Sequence, residues 1–86
     1  SKTKEETGFN AYPNPFNDKI YFDFDIEKNA TIEVYSLGGK KVFYRNVFPN
    51  QNKIFWQPYN QPNGVYFAIL RKGDAVCEIK RIIFEK

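Results

Sequence analysis

The chain contains no histidine, no methionine and a single cysteine among its 86 residues. Without histidine, neither a Ser-His-Asp triad nor a Cys-His pair can form, and histidine-liganded metal sites are excluded. One cysteine permits no internal disulfide and no thiolate zinc cluster. Any chemistry would have to use carboxylates, lysine or tyrosine. We therefore expect a binding or structural protein with no enzymatic activity, no metal and no cofactor.

The sequence also lacks long apolar runs. Residues 65–70 form the longest one, which has the length of a strand, whereas a membrane-spanning helix needs roughly 18 apolar residues. Residues 1–8 are polar and have no apolar segment of the kind that signal peptides carry. We expect them to be a flexible lead-in or linker, and residues 9–86 to form one domain. Because no methionine opens the chain, we expect a piece of a longer protein.

Carboxylates are the remaining candidates for chemistry. Asp23 and Asp25 have strand spacing, about 7 Å apart on one face, and together with Asp18 they are the one carboxylate set that suggests an acid-base pair or a calcium site. However, the sequence around them has neither an apolar pocket that would raise a carboxyl pKa nor an Asp/Gly-rich calcium loop. We interpret them as the solvated face of a strand.

Aromatic side chains are abundant, with sixteen in total (nine Phe, six Tyr and one Trp), and large flat side chains favour strands. Residues 20–26 alternate strictly between apolar and polar, which is the pattern of a half-buried strand. Residues 32 and 34 likewise predict an inward face, with Glu33 and Tyr35 outward. The predicted strands are an edge segment within 9–16, then 19–26, 31–36, 41–47, 53–57, 65–70 and 75–84.

Turn residues separate these runs at spacings of about 8–12 residues, and no segment has a helical apolar period. The sequence therefore predicts an all-β fold, an immunoglobulin-like antiparallel β-sandwich of six or seven strands.

Charge is distributed unevenly along the chain, whose formal net charge is +3. Residues 1–33 carry four Lys against seven Asp or Glu, and residues 34–86 carry nine Lys or Arg against three Asp or Glu. The basic residues occur as pairs at 40–41, 71–72 and 80–81, whereas nucleic-acid binders usually cluster them on one continuous face. We interpret the pairs as solvated faces and turns, and we expect no nucleic-acid partner.

Four segments carry motifs in a distinctive order. Residues 12–18 read Tyr-Pro-Asn-Pro-Phe-Asn-Asp, and residues 32–42 form a strand, a glycine turn and a basic restart. Residues 63–70 begin Asn-Gly-Val-Tyr, and residues 80–86 are basic and apolar. Taken together, residues 11–86 resemble the type A C-terminal sorting domain of the type IX secretion system of Bacteroidetes. Gln61-Pro62-Asn63 departs from that pattern, because many members have small residues there.

The matched residues have structural roles that follow from their chemistry. Pro13 and Pro15 would begin the domain and blunt a sheet edge. Gly39 and Gly64 stand where a positive φ or a close backbone approach is expected. Tyr66 is expected to bury its ring while its hydroxyl bonds to the backbone, as a tyrosine corner does. The structural motif comprises Pro13, Asn14, Pro15, Gly39, Gly64, Val65 and Tyr66.

The resemblance implies a function. Such domains act as export addresses: the cargo passes through the periplasm, and outer-membrane machinery recognises its folded C-terminal domain and delivers it to the cell surface or medium. In many relatives a sortase-like protease then removes the domain. The implied partners are these secretion and sortase proteins. We expect recognition at the last strand and the turn before it; the candidates, which could equally be an ordinary solvated edge strand, are Lys80, Arg81, Ile82, Ile83 and Lys86.

Two alternative functions stay open. Exposed aromatic residues in a row would suit stacking on sugar rings in a carbohydrate-binding module of a secreted protein, although such residues more often belong to the core or to cross-strand pairs. The candidates for this row are Tyr21, Tyr35, Phe43, Trp56 and Tyr59. The other alternative is a purely structural immunoglobulin-like spacer. A spacer tolerates being moved within its parent protein, whereas a C-terminal sorting signal does not.

Overall fold

Seven strands in two antiparallel sheets make up the fold, as a computed structural model describes it over residues 8–86. The strands are β1 (Asn10–Tyr12), β2 (Ile20–Asp23), β3 (Ala30–Ser36), β4 (Lys41–Val47), β5 (Lys53–Trp56), β6 (Gly64–Lys72) and β7 (Ala75–Phe84). One sheet has the order β1-β2-β5 and the other the order β4-β3-β6-β7. The predicted antiparallel β-sandwich is confirmed. The predicted lead-in at residues 1–8 lies outside the described residues except for Gly8.

The core lies between the two sheets and is built by strand alternation. Ile20 and Phe22 point inward from β2, and the same alternation continues through Phe24 and Ile26 although the strand itself ends at Asp23. Aromatic rings join the layers, since Phe16 stacks on Phe84 with ring centroids 5.0 Å apart. Burying an apolar side chain of this size stabilises the fold by about 1.5–3 kcal/mol. The core therefore needs both sheets and the segment between β1 and β2.

The turn between β3 and β4 requires a left-handed backbone. Gly39 has φ 94°, its N–H donates to the carbonyl of Ser36 at 2.9 Å, and the Ser36 N–H donates to the carbonyl of Lys40 at 2.8 Å. Gly64, at the start of β6, has φ 150°. A Cβ at either position would meet nothing within 4 Å. The positive φ, and not lack of space, is what favours glycine there.

Glu33 of β3 has an unusual environment for a carboxylate. It lies on the outer side of the sheet as predicted, but it is not solvated, because its side chain is only 7% exposed. The Tyr35 hydroxyl donates to Glu33 Oε1 at 2.8 Å, the Thr31 hydroxyl donates to Oε2 at 3.4 Å, and Arg71 Nε lies 3.5 Å from Oε1. These groups come from β3 itself and from β6, and they replace the water that a carboxylate would otherwise need.

Candidate functional site

Three motif segments that are distant in sequence meet at the C-terminal end of β7. The Asn14 side chain donates from Nδ2 to the carbonyl of Arg81 at 2.9 Å and accepts the Ile83 N–H at Oδ1 at 3.0 Å. β7 is an outer strand of its sheet, so these two backbone groups have no neighbouring strand on that side. One amide therefore satisfies a donor and an acceptor of an open edge.

The backbone that follows Asn14 continues this contact. The Phe16 N–H donates to the carbonyl of Ile83 at 2.9 Å, and the Glu85 N–H donates to the carbonyl of Phe16 at 2.8 Å. Phe16 and Phe84 also form a short parallel bridge. Pro13 and Pro15 are predicted to blunt a sheet edge; the contacts that cover the edge of β7 come from Asn14 and Phe16, which flank Pro15.

The loop before β6 holds the last residue of the chain. The Lys86 N–H donates to Asn63 Oδ1 at 3.0 Å, so the segment where the sequence departs from the family pattern supplies an anchor. Tyr66 is buried, and its hydroxyl donates to the carbonyl of Pro62 at 2.6 Å, as predicted from the motif. Burial raises the pKa of Tyr66, so its hydroxyl, which is protonated at neutral pH in any tyrosine, remains a donor to higher pH than usual.

Strand alternation divides the predicted recognition residues between two faces of β7. Arg81 and Ile83 point to the outer face of the four-stranded sheet, where Arg81 is exposed and Ile83 half-buried. Lys80 and Ile82 point to the core side. Lys86 follows the strand and is exposed. The five residues therefore do not form one continuous patch.

Lys80 and Ile82, the two residues on the core side, differ in whether a partner could contact them. Ile82 is fully buried and packs in the core, so a partner cannot contact it on the folded domain. Lys80 lies at the rim, where its ammonium is 2.9 Å from Glu78 Oε2. Of the five, Ile82 alone is inaccessible on the folded domain, whereas Lys80, whose side chain is 36% exposed, stays accessible on a different face from Arg81 and Ile83.

Arg81 lies within an apolar surface. Its cross-strand neighbour on β6 is Phe67, and Ile83 lies opposite Val65; both neighbours are half-buried. Ile79, two residues before Arg81, is 53% exposed. We call this surface the β6–β7 face, comprising Val65, Phe67, Ile79, Arg81 and Ile83.

The aromatic residues predicted to form a sugar-binding row are not in one row. Trp56 is buried, and Phe43 packs against it with ring centroids 6.0 Å apart. Tyr35 is half-buried and bonded to Glu33. Tyr59 is 75% exposed but lies in the loop after β5. Trp56 and Phe43 therefore contribute to the core, Tyr35 lies on the four-stranded sheet, and Tyr59 lies in a loop.

The remaining candidate, Tyr21, belongs to a row that the sequence did not predict. It lies between Tyr12 and Phe55 across three strands, with ring centroids 5.8 and 6.1 Å apart. Lysine ammonium groups cover this row: Lys53 lies 5.7 Å from the Tyr12 ring and 5.6 Å from the Tyr21 ring, and Lys19 lies 4.9 Å from the Phe55 ring. Only the register of β1, β2 and β5 reveals it.

The carboxylates are dispersed. Among residues 8–86 no group of three Asp, Glu, Cys or His side chains is placed to hold a metal ion. Asp18 accepts a hydrogen bond from Gln57 at 2.7 Å, and Asp23 accepts one from the Tyr12 hydroxyl at 3.0 Å. Within the same described range, no helix has the length and apolar character that crossing a membrane requires.

The seven-stranded sandwich and its anchored last strand define a small antiparallel β-sandwich module. A sequence profile described as the secretion system C-terminal sorting domain matches residues 10–85, and the chain belongs to this family. The family is the C-terminal sorting signal for type IX secretion, so the predicted identity and function are confirmed. It is not an enzyme family, and it implies interaction with the secretion machinery and export through the outer membrane. A search of curated proteins found no match.

The Asn14 contact gives the first prediction. Asn14→Ala is expected to lower the free energy of unfolding by about 1–2 kcal/mol, because two backbone groups of β7 lose their partner. Urea denaturation measures the loss, and the Ile83 amide should exchange faster with solvent. The matched control is Asn17→Ala, since Asn17 is exposed and its side chain makes no hydrogen bond within residues 8–86. Equal losses in both variants would contradict the anchoring role.

Proposed function

We propose that the type IX machinery recognises this domain through the β6–β7 face together with Lys86. The observation that supports this is the split of β7, which leaves Arg81 and Ile83 outward while Ile82 fills the core. An arginine within an apolar surface is the composition that protein interfaces favour at their centre. The complementary partner surface would be apolar with a carboxylate to meet Arg81.

The route of the parent protein follows from this proposal. The parent reaches the periplasm, an outer-membrane component binds the folded domain, and the parent passes to the cell surface or medium. The recognised unit is residues 9–86, in line with the 10–85 extent of the family match. The N-terminal motif has a positioning role in this scheme, because Asn14 and Phe16 hold β7 in place.

Charge reversal at Arg81 tests the recognition surface. In the parent protein, Arg81→Glu is expected to reduce the exported fraction several-fold and to leave the remainder in the periplasm, because a like charge would face the partner's carboxylate. Immunoblots of medium, surface and periplasm fractions measure this. Lys28→Glu is the control, because Lys28 is exposed in the turn between β2 and β3, outside both β6 and β7. Normal export of the Arg81 variant would refute this surface.

Two further measurements separate recognition from folding and from a spacer role. Circular dichroism should show the Arg81 variant folded, since its side chain is exposed. Moving residues 9–86 to an internal position of the parent should abolish export, whereas a purely structural spacer would tolerate the move. Export of the relocated form would contradict the C-terminal sorting role itself, independently of which residues are recognised.

A further inference from the structure

A cleft of about 510 Å³ opens between β4 and β5. These are outer strands of two different sheets, so the sandwich is open along this side. The cleft is lined by the aliphatic, aromatic, amide and guanidinium side chains of Val42, Phe43, Arg45, Phe55, Trp56, Gln57, Tyr59 and Gln61. It lies apart from the β6–β7 face, and the sorting function gives it no role.

Packing and hydrogen bonds hold the aromatic side chains of the cleft in place. Phe43 rests on buried Trp56 at a ring distance of 6.0 Å. Tyr59 stands exposed at the rim, where its hydroxyl donates to Gln57 Oε1 at 3.3 Å, and Gln57 Nε2 donates in turn to Asp18 at 2.7 Å. The ring is therefore oriented by a hydrogen-bonded chain while most of its surface remains open to a ligand.

Two polar groups of the cleft have no partner among the described residues. The Arg45 guanidinium contacts the Phe43 ring at 5.2 Å but makes no hydrogen bond or ion pair within residues 8–86. The side-chain amide of Gln61 likewise has no hydrogen bond there. The lining contains one cation and no carboxylate. The cleft therefore offers donors to an anionic group.

The kind of ligand follows from where the cleft lies. An added peptide strand would bond to the open backbone groups of β4 or β5, which point within the plane of each sheet and not into the space between the sheets. A ligand in the cleft must instead be held by side chains. A sugar ring suits these, because its C–H face packs on an aromatic ring while its hydroxyls bond to amides.

The aromatic row at Tyr12, Tyr21 and Phe55 is less suited to a sugar. Lysine ammonium groups already lie over its rings, so stacking there would have to displace cation–π contacts. Of the rings that line the cleft, Phe43 has Arg45 over it and Phe55 has Lys19, whereas among residues 8–86 no cation lies over the exposed Tyr59 ring, which is therefore free for a sugar to stack on.

We propose that the β4–β5 cleft binds an acidic glycan, a sugar chain that carries carboxylates. A sugar ring packs on Tyr59, its carboxylate pairs with Arg45, and a hydroxyl bonds to Gln61. This adds a ligand-binding activity to the sorting domain and does not depend on the recognition surface proposed above.

Titration of the 86-residue chain with a short oligogalacturonate, followed by amide NMR, tests this site. Shifts are expected at the cleft residues, and Tyr59→Ala and Arg45→Gln are each expected to weaken binding about tenfold. Tyr44→Ala and Lys72→Gln are matched controls, because Tyr44 lies on the opposite face of β4 and Lys72 is the last residue of β6, which β3 separates from β4. Both controls should bind as the unmodified chain does.

Other probes give the outcomes that would overturn the proposal. A neutral cello-oligosaccharide should bind more weakly than the acidic one, and equal binding that Arg45→Gln does not change would exclude a charged ligand. Polyglutamate that binds in the cleft while oligogalacturonate does not would make it a peptide site. Absence of shifts at millimolar oligogalacturonate, with the chain folded by circular dichroism, would also reject it.

Discussion

Ile82→Ala is expected to lower the free energy of unfolding by about 2–5 kcal/mol. Ile82 is fully buried on the core side of β7, opposite Tyr66, so the substitution removes apolar contacts and leaves a cavity. Small domains have only about 5–15 kcal/mol of stability, and the variant should therefore be partly unfolded at low urea concentration. Urea denaturation followed by circular dichroism measures the change.

The matched control for this prediction is Ile79→Ala on the same strand. Ile79 points outward and is 53% exposed, so its truncation should change the free energy of unfolding by no more than about 0.5 kcal/mol. If Ile79→Ala and Ile82→Ala lower the free energy of unfolding by the same amount, the assignment of these side chains to opposite faces is wrong. Ile82→Ala also calibrates export experiments, because Ile82 is buried and any export defect of this variant reports folding and not direct contact with a partner.

Arg71→Met is expected to destabilise the domain by about 2–3 kcal/mol. The substitution removes the cation from a carboxylate that is almost fully buried, and breaking a buried pair by removing one partner leaves an uncompensated charge. The loss is smaller than for a fully buried pair, since Arg71 is 27% exposed and the Tyr35 and Thr31 hydroxyls still donate to Glu33. Urea denaturation at neutral pH tests it.

A companion variant distinguishes pairing from packing. Glu33→Gln keeps the side-chain shape and an acceptor for Tyr35 but removes the charge, and combining it with Arg71→Met should cost less than the sum of the two single changes. Glu27→Gln is the control, because Glu27 is exposed in the turn between β2 and β3. Additive losses in the double variant would show that Arg71 and Glu33 stabilise the domain independently.

Much of the strand pattern was predictable from local sequence. The runs predicted at 41–47 and 75–84 coincide with β4 and β7, because alternation and turn residues are properties of neighbouring positions. The solvation of Glu33 was not predictable, since it depends on Arg71, which reaches it from β6. The row that contains Tyr12 and Phe55 was missed for a similar reason: it depends on the pairing of β2 with β1 and β5.

The candidate site was predictable in part. The motifs identified the family, and they pointed to residues 80–86 as the recognition segment. They did not reveal which side chains that segment presents, because the pleat of β7 directs Ile82 into the core and Arg81 away from it. The contact between Asn14 and β7 spans 67 and 69 positions of the chain and leaves no local signal.

By itself, the sequence determined the all-β class, the strand positions and membership in the sorting-domain family, because side-chain alternation depends on neighbouring residues and motif order can be read directly from the sequence. Only the tertiary structure decided which residues share a surface. The pairing of strands distant in sequence buries Glu33, joins Asn14 to the last strand and opens the β4–β5 cleft. The absence of histidine excluded particular chemistries, but the long-range contacts determine what the remaining side chains can bind.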